Sequence, residues 1–429
     1  MRTRFIRSSV VATVAVIAAS LVGCAASAPE PAARDLVRVP EDATLGEAGT
    51  LIADGGIILI SPGTYTDSLE VHADDVTVRG LDRNGVVLDG ELTRSNGVVG
   101  TGERVTVENL TVRNFLQNGV LITGVTDESG AGVARGPDGY LPGDTPPPVP
   151  GYLVQAVTAQ NNGLYGIYAF NRTGGVIRDN LASGGSDSGI YVGQCEDCNA
   201  LVQDNVLVSN AAGLELANAS QVVVQGNRIV GNRIGISVLS NYLEAHGPTA
   251  SVQIVGNLIA DNNEHETPVH AGGAFGIGVG LAGTVDAEVR ANTISGNASV
   301  GIWVTSSEDF APMGTRVSGN AWGGNALDAA FTPAAAALGS NNCFELGAGA
   351  TADPAELTSA GCADPLPAGV FRQPPAPDGV VFSDVPLPPE RTGLKDMTEE
   401  PRSLPDRVEL PDLSGIVPPA VDLLAEGNG

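Results

Sequence analysis

The chain has 429 residues, with 49 acidic side chains against 22 Lys and Arg and a formal net charge of −27. A hydrophobic content of 42% excludes wholesale disorder, and 56 glycines with only 4% aromatic residues predict a core of small and branched aliphatic side chains. The charge argues against nucleic-acid partners, because proteins that bind a phosphate backbone present clustered Lys and Arg.

The N-terminus has the pattern of an export signal. Three arginines in the first seven residues precede an apolar run over 10–19 that is too short to span a bilayer comfortably. The run ends in Leu-Val-Gly before Cys24 and resembles the lipobox of bacterial lipoproteins; an ordinary secretory signal with an incidental cysteine is the alternative. The resemblance implies a signal peptide over 1–23 and a tether over 24–40. Lipidation of Cys24, palmitate included, would hold an extracytoplasmic protein on the cell membrane.

Removal of the signal peptide deepens the charge imbalance. Residues 1–23 contain three of the 22 basic residues and none of the acidic ones, so 49 acidic residues face 19 basic ones and the net charge becomes −30.

The middle of the chain repeats one phrase. Runs of alternating Val, Ile and Leu are interrupted by two asparagines five residues apart and then by Gly. These pairs are Asn109/Asn114, Asn205/Asn210, Asn227/Asn232, Asn257/Asn262, Asn292/Asn297 and Asn320/Asn325, with degenerate copies at Ala156/Asn161 and Asn180/Gly185. The repeat predicts an all-β fold, a parallel β-helix solenoid of about ten rungs over 41–345 with asparagine ladders. A short capping helix is predicted within Asp42–Asp54.

Several motifs resemble right-handed parallel β-helix proteins of the pectin-lyase-like class. They are Ile57–Tyr65 (ILISPGTY), Val76–Gly80 (VTVRG) and the asparagine pairs. Asp187–Cys198 and Asn342–Phe344 are similar to a group of exported bacterial β-helix proteins, whose relatives are often labelled as similar to copper-binding accessory proteins of nitrous oxide reductase maturation. The resemblance covers about 36–345 of the chain. It implies a right-handed solenoid and makes copper a candidate ligand.

Four cysteines follow the predicted lipidation site. An even number in an exported protein predicts two disulfides, and Cys195–Cys198 with Cys343–Cys362 is the simplest of three connectivities. Residues 346–429 form a proline-rich tail, with thirteen prolines from Pro365 onward. The tail is predicted either to be extended or disordered, or to pack along the solenoid and protect an edge.

Aromatic and acidic side chains share one predicted outward column. In the strand after each repeat glycine, the outward positions are Leu121, Tyr168, Tyr191, Glu215, Ser237, Gly278 and Trp303. Tyr168, Tyr191 and Trp303 could stack on sugar rings while Glu215 accepts hydroxyl hydrogen bonds. Further candidate contacts beside this column are Asp187, Glu196 and Asp197. The alternative is a satellite core in which these aromatic rings lie beneath an insertion or the tail.

The longest insertions follow the same strand and predict an acidic corner. Its carboxylates are Asp127, Glu128, Asp138, Asp144, Glu196, Asp197, Glu244, Glu308 and Asp309, against one base, Arg135. The hypothesis is a protein that binds polysaccharide, with catalysis undecided because no His- or Arg-centred motif of the pectinase, pectin esterase or alginate epimerase families is present. An enzymatic version would be a polysaccharide lyase or glycoside hydrolase with paired carboxylates or Ca²⁺.

Two alternative functions stay open. Glu264, His265 and His270 share one insertion and could bind Cu or Zn, which would make a copper-accessory or other metal-binding protein. The Cys195-x-x-Cys198 motif is a weak zinc signal without a second pair, and a structural disulfide is favoured there. A non-catalytic envelope protein that docks another protein along an acidic surface is the third hypothesis.

Overall fold

The computed structural model describes residues 32–126, 146–395 and 397–425. Its strands form three faces of a stacked solenoid. Sheet 1 contains Arg34–Val39, Ile52–Ile60, Thr77–Gly80, Val105–Glu108, Val149–Gln155, Arg172–Arg178, Ala200–Gln203, the end of Ala212–Gln225, Ala250–Val255, Glu288–Arg290, Arg316–Ser318 and Cys343–Glu345. Sheet 2 contains Gly63–Tyr65, Val86–Asp89, Thr111–Arg113, Thr158–Gln160, Leu181–Ser183, Val206–Val208, Arg228–Val230, Leu258–Ala260, Thr293–Ser295 and Ala321–Gly323. Sheet 3 contains Leu69–Val71, Asn96–Gly100, Asn118–Thr123, Tyr165–Phe170, Ser188–Cys195, the start of Ala212–Gln225, Ile234–Leu239, Ile277–Ala282, Val300–Thr305, Ala329–Thr332 and Ala352–Asp353.

Each strand pairs in parallel with the equivalent strand of the next rung, which confirms the predicted all-β parallel β-helix. On sheet 3 the inward column runs through Ile190, Leu214 and Ile236, and all three side chains are fully buried. Sheet 2 alone has ten strands in the described chain, in agreement with about ten rungs. The core between the sheets is almost entirely Val, Ile, Leu and Ala, so similar aliphatic side chains stack on one another from rung to rung.

Glycines set the register of sheet 3. At Gly213, Gly235 and Gly278 a Cβ would lie 2.5–2.7 Å from the carbonyl oxygen of the next rung's glycine, so only Gly permits this approach. Gly278 therefore belongs to the glycine column, and Ser237 pairs with Gly280. The sequence prediction, which put Gly278 in the outward column, was wrong by two residues because Gly276 ends the preceding insertion with φ +74° and mimics the column glycine.

Buried asparagines form two ladders along the solenoid. Asn205 donates to the Oδ1 of Asn227 at 2.9 Å, Asn227 donates to Asn257 at 2.9 Å, and the second ladder repeats the pattern through Asn232 and Asn262. The first two pairs of the repeat, Asn109/Asn114 and Ala156/Asn161, have a different role. Asn109 and Ala156 align with Asp204, which precedes the ladder residue Asn205, and the backbone φ is positive at these positions. Asparagine is suited to both roles, since it tolerates left-handed backbone and offers both a donor and an acceptor.

The predicted helix and disulfides are present. The helix Leu45–Leu51 begins with a capping box between Thr44 and Glu47 and buries Leu45 against the first rungs. The other helical segments are Leu357–Ala360 and the 3₁₀ turn Phe382–Asp384. Disulfides join Cys195 to Cys198 and Cys343 to Cys362, as predicted. None of the helices in the described ranges has the length and apolar character needed to cross a membrane. The signal peptide and Cys24 lie outside the described residues.

The C-terminal tail packs along the solenoid in two passes. On the first pass buried arginines bind its carbonyl oxygens: Arg233 donates to Pro377 at 2.8 Å, Arg83 to Thr392 at 3.2 Å, and Arg79 to Thr398 and Glu400. The tail therefore travels from the last rungs back to the first. The tail carbonyl oxygens thus provide hydrogen-bond partners for these buried guanidinium groups.

On the second pass the tail returns along the outer face of sheet 1. Leu413 packs on the apolar column of Val223 and Val255, and its carbonyl accepts from Arg290 at 2.9 Å. At the turn between the passes, Arg402 joins a buried ion pair between Arg79 and Glu108, whose carboxylate is fully buried. Of the two predicted alternatives for the tail, packing along the solenoid is the one observed.

Candidate functional site

Strand register brings three of the predicted site residues onto adjacent rungs. Tyr168 pairs with Tyr191, and Tyr191 pairs with Glu215, all on the outer face of sheet 3. A second outward column places Tyr165 beside Ser188. The outer face of these rungs therefore carries three tyrosines and a carboxylate.

The tyrosine rings form a satellite core. Tyr165 stacks on Tyr168 with centroids 4.4 Å apart, and Tyr191 contacts Tyr168 edge to face at 4.6 Å, with Phe170 at the margin. Tyr168 and Tyr191 are 3% and 1% exposed. Their rings therefore cannot stack on a sugar in this structure. The prediction that Tyr168 and Tyr191 contact a sugar is wrong because aromatic side chains of adjacent rungs bury one another.

An insertion covers Tyr191 from the neighbouring rungs. The segment that follows Ile234–Leu239 is anchored where Asn218 donates to the carbonyl oxygens of Asn241 and Glu244 at 2.9 and 2.7 Å. It places the carboxylate of Glu244 on the hydroxyl of Tyr191, which donates to it. Burial, followed by the charge of Glu244, raises the pKa of Tyr191 well above its ordinary value. Tyr191 therefore stays neutral and acts as a hydrogen-bond donor.

Asp187, Glu215 and His270 form a polar centre beside the tyrosines. One possible ligand atom from each lies within 4.8 Å of the others. His270 Nε2 lies 3.9 Å from Glu215 Oε2, and the hydroxyl of Tyr165 donates to Asp187 Oδ2 at 2.9 Å. The side chains of His270 and Glu215 are 17% and 13% exposed, so the centre is shielded but open to solvent.

Two opposing effects set the charge of His270. Burial lowers the pKa of the imidazole, whereas the contact with Glu215 and the charges of Glu215 and Asp187 raise it, and the net shift is upward. The two carboxylates therefore favour the imidazolium form of His270. The centre combines a cationic donor with two carboxylate acceptors, which is suited to binding hydroxyl groups and to proton transfer.

The polar centre is also the group of described residues that could hold a metal ion. One imidazole nitrogen and two carboxylates suit Zn²⁺, Cu²⁺ or Mn²⁺ better than Ca²⁺, which prefers oxygen ligands alone. The predicted set of Glu264, His265 and His270 does not form. His265 is 70% exposed and lies against Glu264. Arg233 holds Thr267 at 3.0 Å, which bends the insertion and turns His270 away toward sheet 3.

The remaining predicted residues lie apart from the polar centre. Trp303 is on the same outward column as Glu215 and lies two rungs beyond Ser237. Its ring contacts Phe371 of the tail, with ring centroids 5.3 Å apart, beside an open cleft of about 510 Å³. Asp197 accepts from Arg407 of the tail, with N–O distances of 2.5 and 3.1 Å, and Glu196 is exposed. The two acidic side chains of the Cys195–Cys198 turn thus face the tail or solvent, whereas its two cysteines are buried.

Sequence reasoning missed an aromatic pair at the acidic corner, of which one ring is exposed. Tyr242 is 57% exposed and its ring lies 4.6 Å from that of Phe310, while its hydroxyl donates to Asp309 at 2.6 Å. The available signal was a single aromatic residue in each of two acidic insertions that follow strands of sheet 3. The residues Asp127, Glu128, Arg135, Asp138 and Asp144, predicted for this corner, lie outside the described residues.

Comparison with known proteins agrees on the fold. Residues 151–322 match the family model for the right handed beta helix region, so the solenoid is a right-handed parallel β-helix. A search of curated proteins finds no match.

Solved structures give weak similarity. The A-module of an Azotobacter vinelandii mannuronan C-5 epimerase is 16% identical, with 67% of this chain and 82% of that chain covered and a TM-score of 0.49. A periplasmic alginate epimerase is 12% identical, with coverage of 72% and 82% and a TM-score of 0.38. A pectate lyase is 13% identical, with coverage of 77% and 84% and a TM-score of 0.40.

Proposed function

We propose that this protein binds polysaccharide on the outer face of sheet 3, with Asp187, Glu215 and His270 as the polar contacts. The observation that carries the proposal is the convergence of these three side chains, from different parts of the chain, within 4.8 Å. Carboxylates accept hydrogen bonds from sugar hydroxyls, and the imidazolium of His270 donates one. The buried tyrosines hold this centre rather than contact the ligand.

A glycan array with the Cys24→Ser chain tests this proposal. Glu215→Gln and His270→Gln should each lower the affinity for the best glycan at least tenfold, because a hydrogen bond to a charged group contributes about 1.5–3 kcal/mol. Glu390→Gln, an exposed carboxylate of the tail, is the matched control and should bind as the wild type does. The proposal fails if the array is blank or if both polar-centre variants bind normally.

We further propose that Cys24 is lipidated and anchors the protein to the outer side of the cell membrane. The support is the lipobox-like sequence that ends at Cys24. Wild-type cells should incorporate labelled palmitate into the protein and retain it in the membrane fraction, whereas Cys24→Ser should lose both. Unchanged fractionation of Cys24→Ser would refute the anchor.

A second candidate function is the binding of a divalent transition metal ion, such as Cu²⁺ or Zn²⁺, at the same polar centre. It is favoured by the imidazole and carboxylate donor set. Calorimetry with CuCl₂ and ZnCl₂ should then show one site that His270→Gln removes and His265→Ala preserves. Loss in His265→Ala alone would instead support the set within the insertion, and no uptake at all would reject metal binding.

A further inference from the structure

Tyr242 and Phe310 form an aromatic pair at the acidic corner, in which the Tyr242 ring is exposed and Phe310 is partly buried. Tyr242 lies in the insertion after Ile234–Leu239, and Phe310 lies in the insertion after Val300–Thr305, two strands further along sheet 3. The rings are 4.6 Å apart and inclined at 35°, and Tyr242 is 57% exposed. An exposed aromatic ring in an insertion leaves apolar surface in contact with water, which is unfavourable and indicates a place where a ligand can bind.

Hydrogen bonds fix the two insertions that carry Tyr242 and Phe310. Ser307 and Phe310 exchange backbone hydrogen bonds of 3.1 and 2.8 Å, which closes a tight turn, and the Ser307 hydroxyl donates to the carbonyl of Ser240 at 2.5 Å. The other insertion is fixed through Asn241, whose backbone nitrogen donates to Asn218 at 2.9 Å. A ring that is ordered before binding loses little conformational entropy when a ligand arrives.

Carboxylates flank the two rings. Asp309 accepts the hydroxyl of Tyr242 at 2.6 Å, and Glu308 is exposed next to it. Flat aromatic faces bind the apolar C–H face of a pyranose, and adjacent carboxylates accept its hydroxyl groups. The same carboxylates repel an anionic sugar such as a uronate, and the formal net charge of −27 reinforces this preference.

The pair is connected to the polar centre through one insertion. Glu244, two residues after Tyr242, binds the hydroxyl of Tyr191, which pairs with Glu215. From the strand of Tyr191 to the strand that precedes Phe310 there are four rung steps, or about 19 Å at roughly 4.8 Å per step. The two places are therefore about four rungs apart along the solenoid axis, a separation that an oligosaccharide can bridge.

We infer that Tyr242 and Phe310, with Asp309 and Glu308, form a second sugar subsite for an uncharged polysaccharide chain. The inference rests on the proposed function, because the polar centre supplies the first subsite. It adds the ligand class, a neutral glycan long enough to span both places.

Calorimetry on the full-length protein in detergent micelles tests the subsite. The probes are cellohexaose, chitohexaose and mannohexaose, the matching disaccharides, and hexagalacturonate as the anionic comparison. Tyr242→Ala should weaken hexasaccharide binding about tenfold, or about 1.4 kcal/mol, and leave disaccharide binding at the polar centre unchanged. Tyr242→Phe should retain most of the affinity because it keeps the ring. Leu243→Ala, whose side chain is 59% exposed, is the matched control and should bind as the wild type does.

The outcomes separate the two proposals. Wild-type hexasaccharide affinity in Tyr242→Ala, with binding still sensitive to Glu215→Gln, overturns the subsite alone. Tighter binding of hexagalacturonate than of every neutral hexasaccharide overturns the ligand class. Absence of binding of any probe by the wild type overturns the proposed function and the subsite together. If the variants unfold at the same temperature as the wild type, the changes in affinity reflect lost binding contacts and not a loss of folding.

Discussion

Replacing Asn257 with alanine measures what one step of the first asparagine ladder contributes to stability. In the described part of the chain, the Asn257 side chain makes four hydrogen bonds of 2.9–3.0 Å: it accepts two from Asn227 and donates to Val224 and Asn292. Each contributes about 1 kcal/mol, so the free energy of unfolding should fall by about 4 kcal/mol. A loss of this size is a large fraction of the 5–15 kcal/mol typical of a domain.

Asn325→Ala is the matched control at the open end of the second ladder. Its side chain also makes four hydrogen bonds among the described residues, but it is partly exposed, whereas Asn257 is fully buried. Water can replace the lost partners there, so we expect a loss of about 2 kcal/mol or less. Urea unfolding of both variants measures the difference. A loss below about 1 kcal/mol for Asn257→Ala, or equal losses for the two, would refute burial as the source of the effect.

Three further predictions concern ion pairs and a disulfide. Glu108→Gln should lower the free energy of unfolding by about 3–5 kcal/mol because it leaves a buried arginine without its countercharge. Arg402→Ala removes a half-exposed partner of Glu108 and should lower it by less than about 1 kcal/mol. Equal losses for the two variants in urea unfolding would contradict this. The raised pKa of His270 implies stability that is complete below about pH 6.5 and is lost as pH rises through the folded-state pKa; His270→Gln should abolish that slope, and an unchanged pH profile would count against the interaction. Replacement of Cys343 and Cys362 by alanine, at a sequence separation of 19, should cost about 3 kcal/mol in thermal unfolding, and a smaller loss than for the other disulfide would contradict the loop-entropy argument.

The solenoid could be predicted from the sequence because its signals are local. Alternating aliphatic residues and recurring asparagines are set within one rung, and they are repeated often enough to identify the fold. The errors occurred where an insertion interrupts a rung. At the start of Ile277–Ala282 both Gly276 and Gly278 fit the repeat, and the strand register, which pairs Ser237 with Gly280, distinguishes them.

The candidate site was only partly predictable because insertions build it. Register alone places Tyr191 next to Glu215, as predicted. The position of His270 depends on where Arg233 holds the insertion, a contact between distant segments that leaves no periodic pattern. The sequence also gave no means of telling a buried tyrosine from an exposed one. Tyr191 lies within a sheet 3 strand beneath Glu244, whereas Tyr242 lies in the insertion that follows another strand of that sheet and is exposed.

The two-pass tail has a consequence for the order in which the protein can mature. Glu399 pairs with Arg38 of the first strand across 361 positions of sequence, and the tail reaches the first rungs only after every rung has been made. The first rungs therefore emerge before the segment that fastens them exists, and contacts of such long sequence separation form slowly. Without the tail, the apolar column of sheet 1 on which Leu413 packs would be open to solvent. Covering of this column therefore waits until the last part of the tail has been synthesised.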